Sequence, residues 1–146
     1  MDNSLLKLRE ETGAGVMDCK KALEEARGDL EKAKEIIFAS GAAKAQKRAE
    51  RKTGAGVLDS YIHNDRIGVL VELRCETDFV AKTDIFKSVA HEIAMHIAFS
   101  NPLDTMEILT QPSIKDESIT IGDVITQLIA RTGENCKLER FCRYEL

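Results

Sequence analysis

The sequence is short of the features on which many functions are built. Its four cysteines, Cys19, Cys75, Cys136 and Cys142, include no C-x-x-C pair. Structural zinc sites and dithiol redox centres use such pairs, so the thiols read as small hydrophobes in a reducing compartment. There is no basic excess, since 21 lysines and arginines face 25 aspartates and glutamates for a net charge of -4. General binding to nucleic acid or to an anionic membrane needs a basic surface, and neither partner is expected. No apolar run approaches the roughly 20 residues of a membrane-spanning helix. Met1-Asp2-Asn3-Ser4 lacks the basic region and apolar run of a secretory signal, which makes the cytoplasm the expected location. Thr53-Gly54-Ala55-Gly56 has neither the spacing nor the lysine of a phosphate-binding loop. His91 and His96 stand five apart, about 140° round a helix, where a zinc-protease helix needs four. No metal, no cofactor and no catalytic constellation is expected.

What is present is an ordinary globular composition, 32% charged and 43% hydrophobic, in 146 residues. That length suits one domain, or a small module followed by a modest domain. Ser4 is expected to cap a helix over Leu5 to Glu11, which Thr12-Gly13-Ala14-Gly15 breaks. Val16, Cys19, Leu23 and Ala26 recur at spacings of three and four and predict a second helix. Asp29 caps a third, carrying Leu30, Ala33 and Ile37 and expected to stop at Ser40-Gly41. A helical module over residues 1–41 follows, then a basic linker over 42–52 containing Lys44, Lys47, Arg48, Arg51 and Lys52 against the single acid Glu50. The linker reads as a solvated helix, or as a contact for RNA or an acidic protein.

Residues 53–146 read as an α+β core. Val57 to His63, the turn Asn64-Asp65 and Arg66 to Cys75 form a hairpin, with Ile67, Val69, Val71, Leu73 and Cys75 on one face. Phe86, Val89, Ala90, Ile93 and Ile97 predict a helix from Thr83 or Asp84 to Asn101-Pro102. A short helix near Met106 to Leu109 and one opened by Thr120 with Asp123 and closed by Gly133 come next. A strictly alternating strand over 137–146 completes a three-stranded antiparallel sheet packed on helices. Between the second strand and its helix lies Glu76-Thr77-Asp78-Phe79-Val80-Ala81-Lys82, read as a loop. An aromatic in a connector needs a pocket in its own protein or in a partner. The residues alone leave both readings of Phe79 open, a core aromatic beneath the loop or a partner contact.

Three stretches resemble the signatures of the translation elongation factor Ts family. These are Leu8 to Leu23, Glu76 to Lys82, and Ile129 to Asn135 with Arg140-Phe141, in the family's order. The resemblance implies a ubiquitin-associated-like module followed by a core domain. It implies a guanine-nucleotide exchange factor for elongation factor Tu, acting by binding without covalent chemistry. The segment Thr12, Gly13, Ala14, Gly15, Val16, Met17, Asp18, Lys20, Lys21 and Leu23 would dock on the partner's GTPase domain. Thr77, Asp78, Phe79 and Val80 would dislodge the nucleotide's Mg2+, with Phe79 as the wedge. Longer members of the family have a larger core, whereas here about 20 residues separate the two core helices, as in a short form. The edge of so small a sheet suggests a homodimer through the core, near Cys142. Two alternatives of other classes are a ubiquitin-like or RNA-binding adaptor using Lys44 to Lys52, and a hydrolase using His91 or His96.

Overall fold

The structure, a computed structural model, describes residues 3–146. Its amino-terminal part is α1 (Asn3–Thr12), α2 (Val16–Glu25) and α3 (Leu30–Arg48), packed around Leu8, Cys19, Ala22, Ala26 and Ala33. Ser4 is not a cap but lies inside α1. Asp29 does cap α3, its carboxylate accepting from the Lys32 amide.

The third helix does not stop at Ser40-Gly41 but runs on to Arg48. A glycine inside a helix costs about 1 kcal/mol relative to alanine, and a tertiary contact offsets that cost here. Gly41 is buried, and a Cβ placed on it would stand 3.4 Å from the Ala130 Cβ of the facing helix. The expected linker is therefore largely the end of α3. Its Ala45 packs on the core and its Lys44 ammonium lies 2.9 Å from the Asp18 carboxylate.

The rest is β1 (Ala55–His63), β2 (Ile67–Cys75), α4 (Asp78–Ala81), α5 (Asp84–Ser100), α6 (Thr105–Thr110), α7 (Ile121–Thr132) and β3 (Cys136–Glu145). The three strands form an antiparallel sheet in the order β1-β2-β3, and with the helices make an α+β fold. The first strand starts two residues before the expected Val57, so Gly56 lies within β1. The hairpin turns through Asn64, Asp65 and Arg66, with Asn64 and Asp65 in the left-handed region that short polar side chains tolerate. Val69, Val71, Leu73 and Cys75 are buried on the inner face against Phe86, Ala90, Ile93 and Ile97 of α5 and Ile125, Leu128 and Ile129 of α7. Thr83 caps α5, and Thr120 and Asp123 form a reciprocal capping box on α7, which Gly133 ends at φ 73°.

Alternation in β3 is not strict. Leu138 pairs with Leu73 and Arg140 with Glu72, so Glu139 is an extra residue without a partner on β2. A bulge of one residue exchanges the two faces beyond it. Leu138 and Phe141 thus face the helices, while Arg140, Cys142 and Tyr144 face outward with Leu58, Ile62 and Leu70. On that outer face the Glu72 carboxylate takes hydrogen bonds from Arg140 and Arg74, which hold it below the usual carboxylate range.

Candidate functional site

The connector after β2 is a single helical turn, α4, and not a loop. Thr77 is its N-cap, with the hydroxyl accepting from the Val80 amide at 3.5 Å, and Lys82 closes it through its amide on the Asp78 carbonyl at 3.1 Å. Thr83 then caps α5, so two caps in seven residues stiffen the segment. Ala81 is buried and Val80 half-buried against the core, and they anchor the turn. Asp78 is exposed, and Phe79 is 88% exposed. That figure excludes the core-aromatic reading of Phe79: it fills no pocket of its own protein.

A carboxylate 57 residues further along holds the turn in place. Glu134 accepts from the Glu76 amide at 3.1 Å, from the Thr77 amide at 3.0 Å and from the Thr77 hydroxyl at 2.6 Å. Glu76 answers by accepting from the Asn135 amide at 2.7 Å, and it also lies 3.5 Å from Arg51. Asn135, itself buried, donates to the Arg51 carbonyl at 2.9 Å. Beneath this clasp Cys75 and Cys136 face each other in register as free thiols. Burial pushes Cys136 up to about 12 and, with the nearby Glu134 carboxylate, raises Cys75 as well, so both remain neutral and unreactive.

In the amino-terminal segment, Thr12 is buried and its hydroxyl donates to the Leu8 carbonyl at 2.7 Å. Gly13 turns the chain at φ 65°, and Ala14 and Gly15 lead into α2. Val16, Met17, Lys20 and Lys21 are exposed on α2, whereas Leu23 packs half-buried into the small helical core. Asp18 is exposed but engaged with Lys44. Arg131 bridges this segment to the core, its guanidinium donating to the Thr12 carbonyl at 3.3 Å. The third motif therefore touches both others, through Arg131 on one side and Glu134 on the other. Neither residue stood out in the sequence beyond belonging to that motif.

The two histidines lie in separate surroundings. His91 meets Asp59 at 2.8 Å, and His96 is buried with its Nε2 2.9 Å from Gln111. Among the described residues no group of three His, Cys, Asp or Glu side chains is placed to hold a metal ion. Nor, among them, is any helix long and apolar enough to cross a membrane.

A family model described as elongation factor TS matches residues 76–146, which include the connector and its clasp. The chain is 44% identical to the elongation factor Ts of Carboxydothermus hydrogenoformans, over 95% of this chain and 85% of that protein. It is 42% identical to the elongation factor Ts of Thermotoga sp. strain RQ2, over 96% of this chain and 92% of the relative. The chain belongs to the elongation factor Ts family. Membership makes it a translation elongation factor. The elongation factor Ts of Methylacidiphilum infernorum is 42% identical over 95% of the chain and 91% of its own length. The alignment with the Carboxydothermus protein runs over 185 positions, so that relative has stretches with no counterpart in these 146 residues.

Proposed function

We propose that this chain is a cytoplasmic guanine-nucleotide exchange factor that promotes GDP release from elongation factor Tu. The observation that carries the reading is Phe79, a large apolar side chain 88% exposed on a turn fixed at both ends. A GTPase holds its nucleotide through backbone donors on the phosphates and through Mg2+, so release requires a conformation in which those contacts fail. Phe79 enters the partner's GTPase domain and stabilises that conformation, while the neighbouring Asp78 carboxylate disturbs the partner's Mg2+. Thr77 and Val80 shape the turn. The segment Thr12 to Leu23 docks the factor, with Val16, Met17, Lys20 and Lys21 as its exposed contacts.

Magnitudes divide the labour. A thousandfold acceleration takes about 4 kcal/mol at ~1.4 kcal/mol per tenfold. Burying one phenylalanine supplies about 1.5–3 kcal/mol. Phe79 alone falls short, and loss of the metal with docking by the helical segment contributes the remainder. Linkage requires that GDP weaken this protein's binding by the factor through which the protein weakens GDP binding.

The test is release of a fluorescent GDP analogue from elongation factor Tu at fixed Mg2+ over a concentration series of this protein. Saturable acceleration is expected, together with tighter binding to nucleotide-free than to GDP-bound elongation factor Tu by the reciprocal factor. Unchanged release in the presence of folded protein would reject the reading.

We also propose that a second copy covers the outer sheet face, where Leu58, Ile62, Leu70, Cys142 and Tyr144 are exposed together. Sedimentation at micromolar concentration is expected to give a dimer that Leu70→Lys dissociates. A monomeric wild type under the same conditions would refute it.

A further inference from the structure

We infer that Glu134 is a positioning residue for nucleotide exchange: it has no partner-facing role of its own and sets the direction in which Phe79 projects. The inference rests on the exchange reading above and adds to it a residue remote in sequence from the wedge.

The turn that carries Phe79 is too short to hold itself. Four residues close a single helical turn, and isolated turns are not stable in water because nucleation fixes several dihedral angles for one hydrogen bond. Something outside the turn must fix its start, and three donors of that start, the Glu76 amide, the Thr77 amide and the Thr77 hydroxyl, converge on the Glu134 carboxylate. Hydrogen bonds to an ionised acceptor are the stronger class. The Thr77 hydroxyl gives its only proton to Glu134, which leaves its lone pairs for the Val80 amide and so orients the N-cap. Glu134 therefore acts on Phe79 through Thr77, two residues before it.

Glu134 is itself placed by its own element. Gly133 ends α7 in the left-handed conformation, and the Glu134 amide donates to the Thr132 hydroxyl at 3.3 Å. On the other side, Asn135 ties the same turn to Glu76 and to Arg51, three residues past the end of α3. The clasp is thus crosswise, with each of two carboxylates accepting backbone amides from the other's segment. Such a pair fixes both position and angle, which matters because small misplacements of a binding group forfeit much of its effect.

The test compares GDP release from elongation factor Tu by wild type, Glu134→Ala, Glu134→Gln, Phe79→Ala and the Glu134→Ala/Phe79→Ala double variant. Each is assayed over a concentration series, with thermal unfolding as a fold control. Glu134→Ala is expected to lower the release rate at saturation roughly tenfold, the equivalent of one hydrogen bond to a charged group, with the half-saturating concentration changed less than threefold. The amide oxygen of Glu134→Gln still accepts the two backbone donors, and its NH2 can donate to the Thr77 hydroxyl oxygen, which keeps a second lone pair for the Val80 amide, so that variant is expected to regain most of the rate. In the Phe79→Ala background the second substitution is expected to have no further effect, because the group it positions is gone. Should Glu134→Ala unfold the chain, Thr77→Val removes the same cap without touching the α7–β3 turn and is expected to give the same saturation-rate loss.

Independent losses in the double variant, or a Glu134→Ala effect confined to the half-saturating concentration, would overturn the inference. If Phe79→Ala itself releases GDP as fast as wild type, the exchange reading of Phe79 fails first. If Phe79→Ala is slow and folded Glu134→Ala is at the wild-type rate, only the present inference fails.

Discussion

Replacing Gly13 by alanine tests how the amino-terminal helices are joined to the core. At φ 65° the residue occupies the left-handed region, where a Cβ costs about 1–2 kcal/mol. The added Cβ would also fall 2.0 Å from Arg131 Nε and 2.2 Å from its Cζ, so the guanidinium must leave. It then loses its hydrogen bond to the Thr12 carbonyl, worth about 0.5–1.5 kcal/mol. Gly13→Ala should therefore destabilise the full chain by about 1.5–3.5 kcal/mol in urea unfolding, summing the backbone and hydrogen-bond costs. Arg131→Ala alone should cost only the hydrogen-bond share. In the double variant the Arg131 share has already been lost, and the double should match Gly13→Ala within about 0.5 kcal/mol. A Gly13→Ala protein as stable as wild type would refute the argument. So would a double variant in which the two costs simply add.

In the folded chain no more than one thiol, Cys142, should react rapidly with a disulfide reagent at pH 8, and all four should react in denaturant; a second fast thiol would contradict the burial of Cys19, Cys75 and Cys136. Cys136 is raised from 9.0 to about 12, so its contribution to stability is complete below pH 9 and is lost as pH rises from there towards 12. Cys136→Ala should flatten the fall in melting temperature across that window. Glu72 is lowered from 4.5 by Arg140 and Arg74, so its contribution is present above pH 4.5 and disappears as pH falls through the lowered value. Glu72→Gln should remove part of the acid-side loss of melting temperature, and an unchanged profile would show that the cluster adds nothing.

Much of this fold was legible because its determinants are local. Asp29, Thr83, the Thr120-Asp123 pair and Gly133 cap their helices through neighbours three or four residues away, and such spacings are visible in a sequence. The alternation of β2 revealed its buried face for the same reason. The misreadings come from partners distant in sequence. α3 passes through Gly41 because α7 approaches there, and Gly41 taken alone looks like a stop. The bulge at Glu139 arises from pairing with β2, which the alternation of β3 cannot report. The turn at Asp78–Ala81 is too short to display a helical period and is fixed by Glu134.

The candidate site divides the same way. Phe79 was conspicuous as an aromatic in a connector, yet its residues alone left a buried and an exposed reading open, and the 88% exposure separates them. Met17, Lys20 and Lys21 were singled out only through the family resemblance, and they are exposed on α2. The segment that carries them is tied to the core by Arg131 meeting Thr12, a contact across 119 residues, and by the packing of α3 on α7 at Gly41 and Ala130. No local pattern encodes a separation of that size.

The proposed exchange function turns on Phe79, and the most direct measurement is the rate of GDP release from elongation factor Tu at saturating wild-type and Phe79→Ala protein, at fixed Mg2+. An exposed side chain contributes little to its own fold, so the variant should unfold at the wild-type temperature. Loss of about 1.5–3 kcal/mol of burial in the complex should slow release by roughly 10- to 150-fold. A folded Phe79→Ala protein that drives GDP release from elongation factor Tu at the wild-type rate would contradict the role of Phe79 as the wedge.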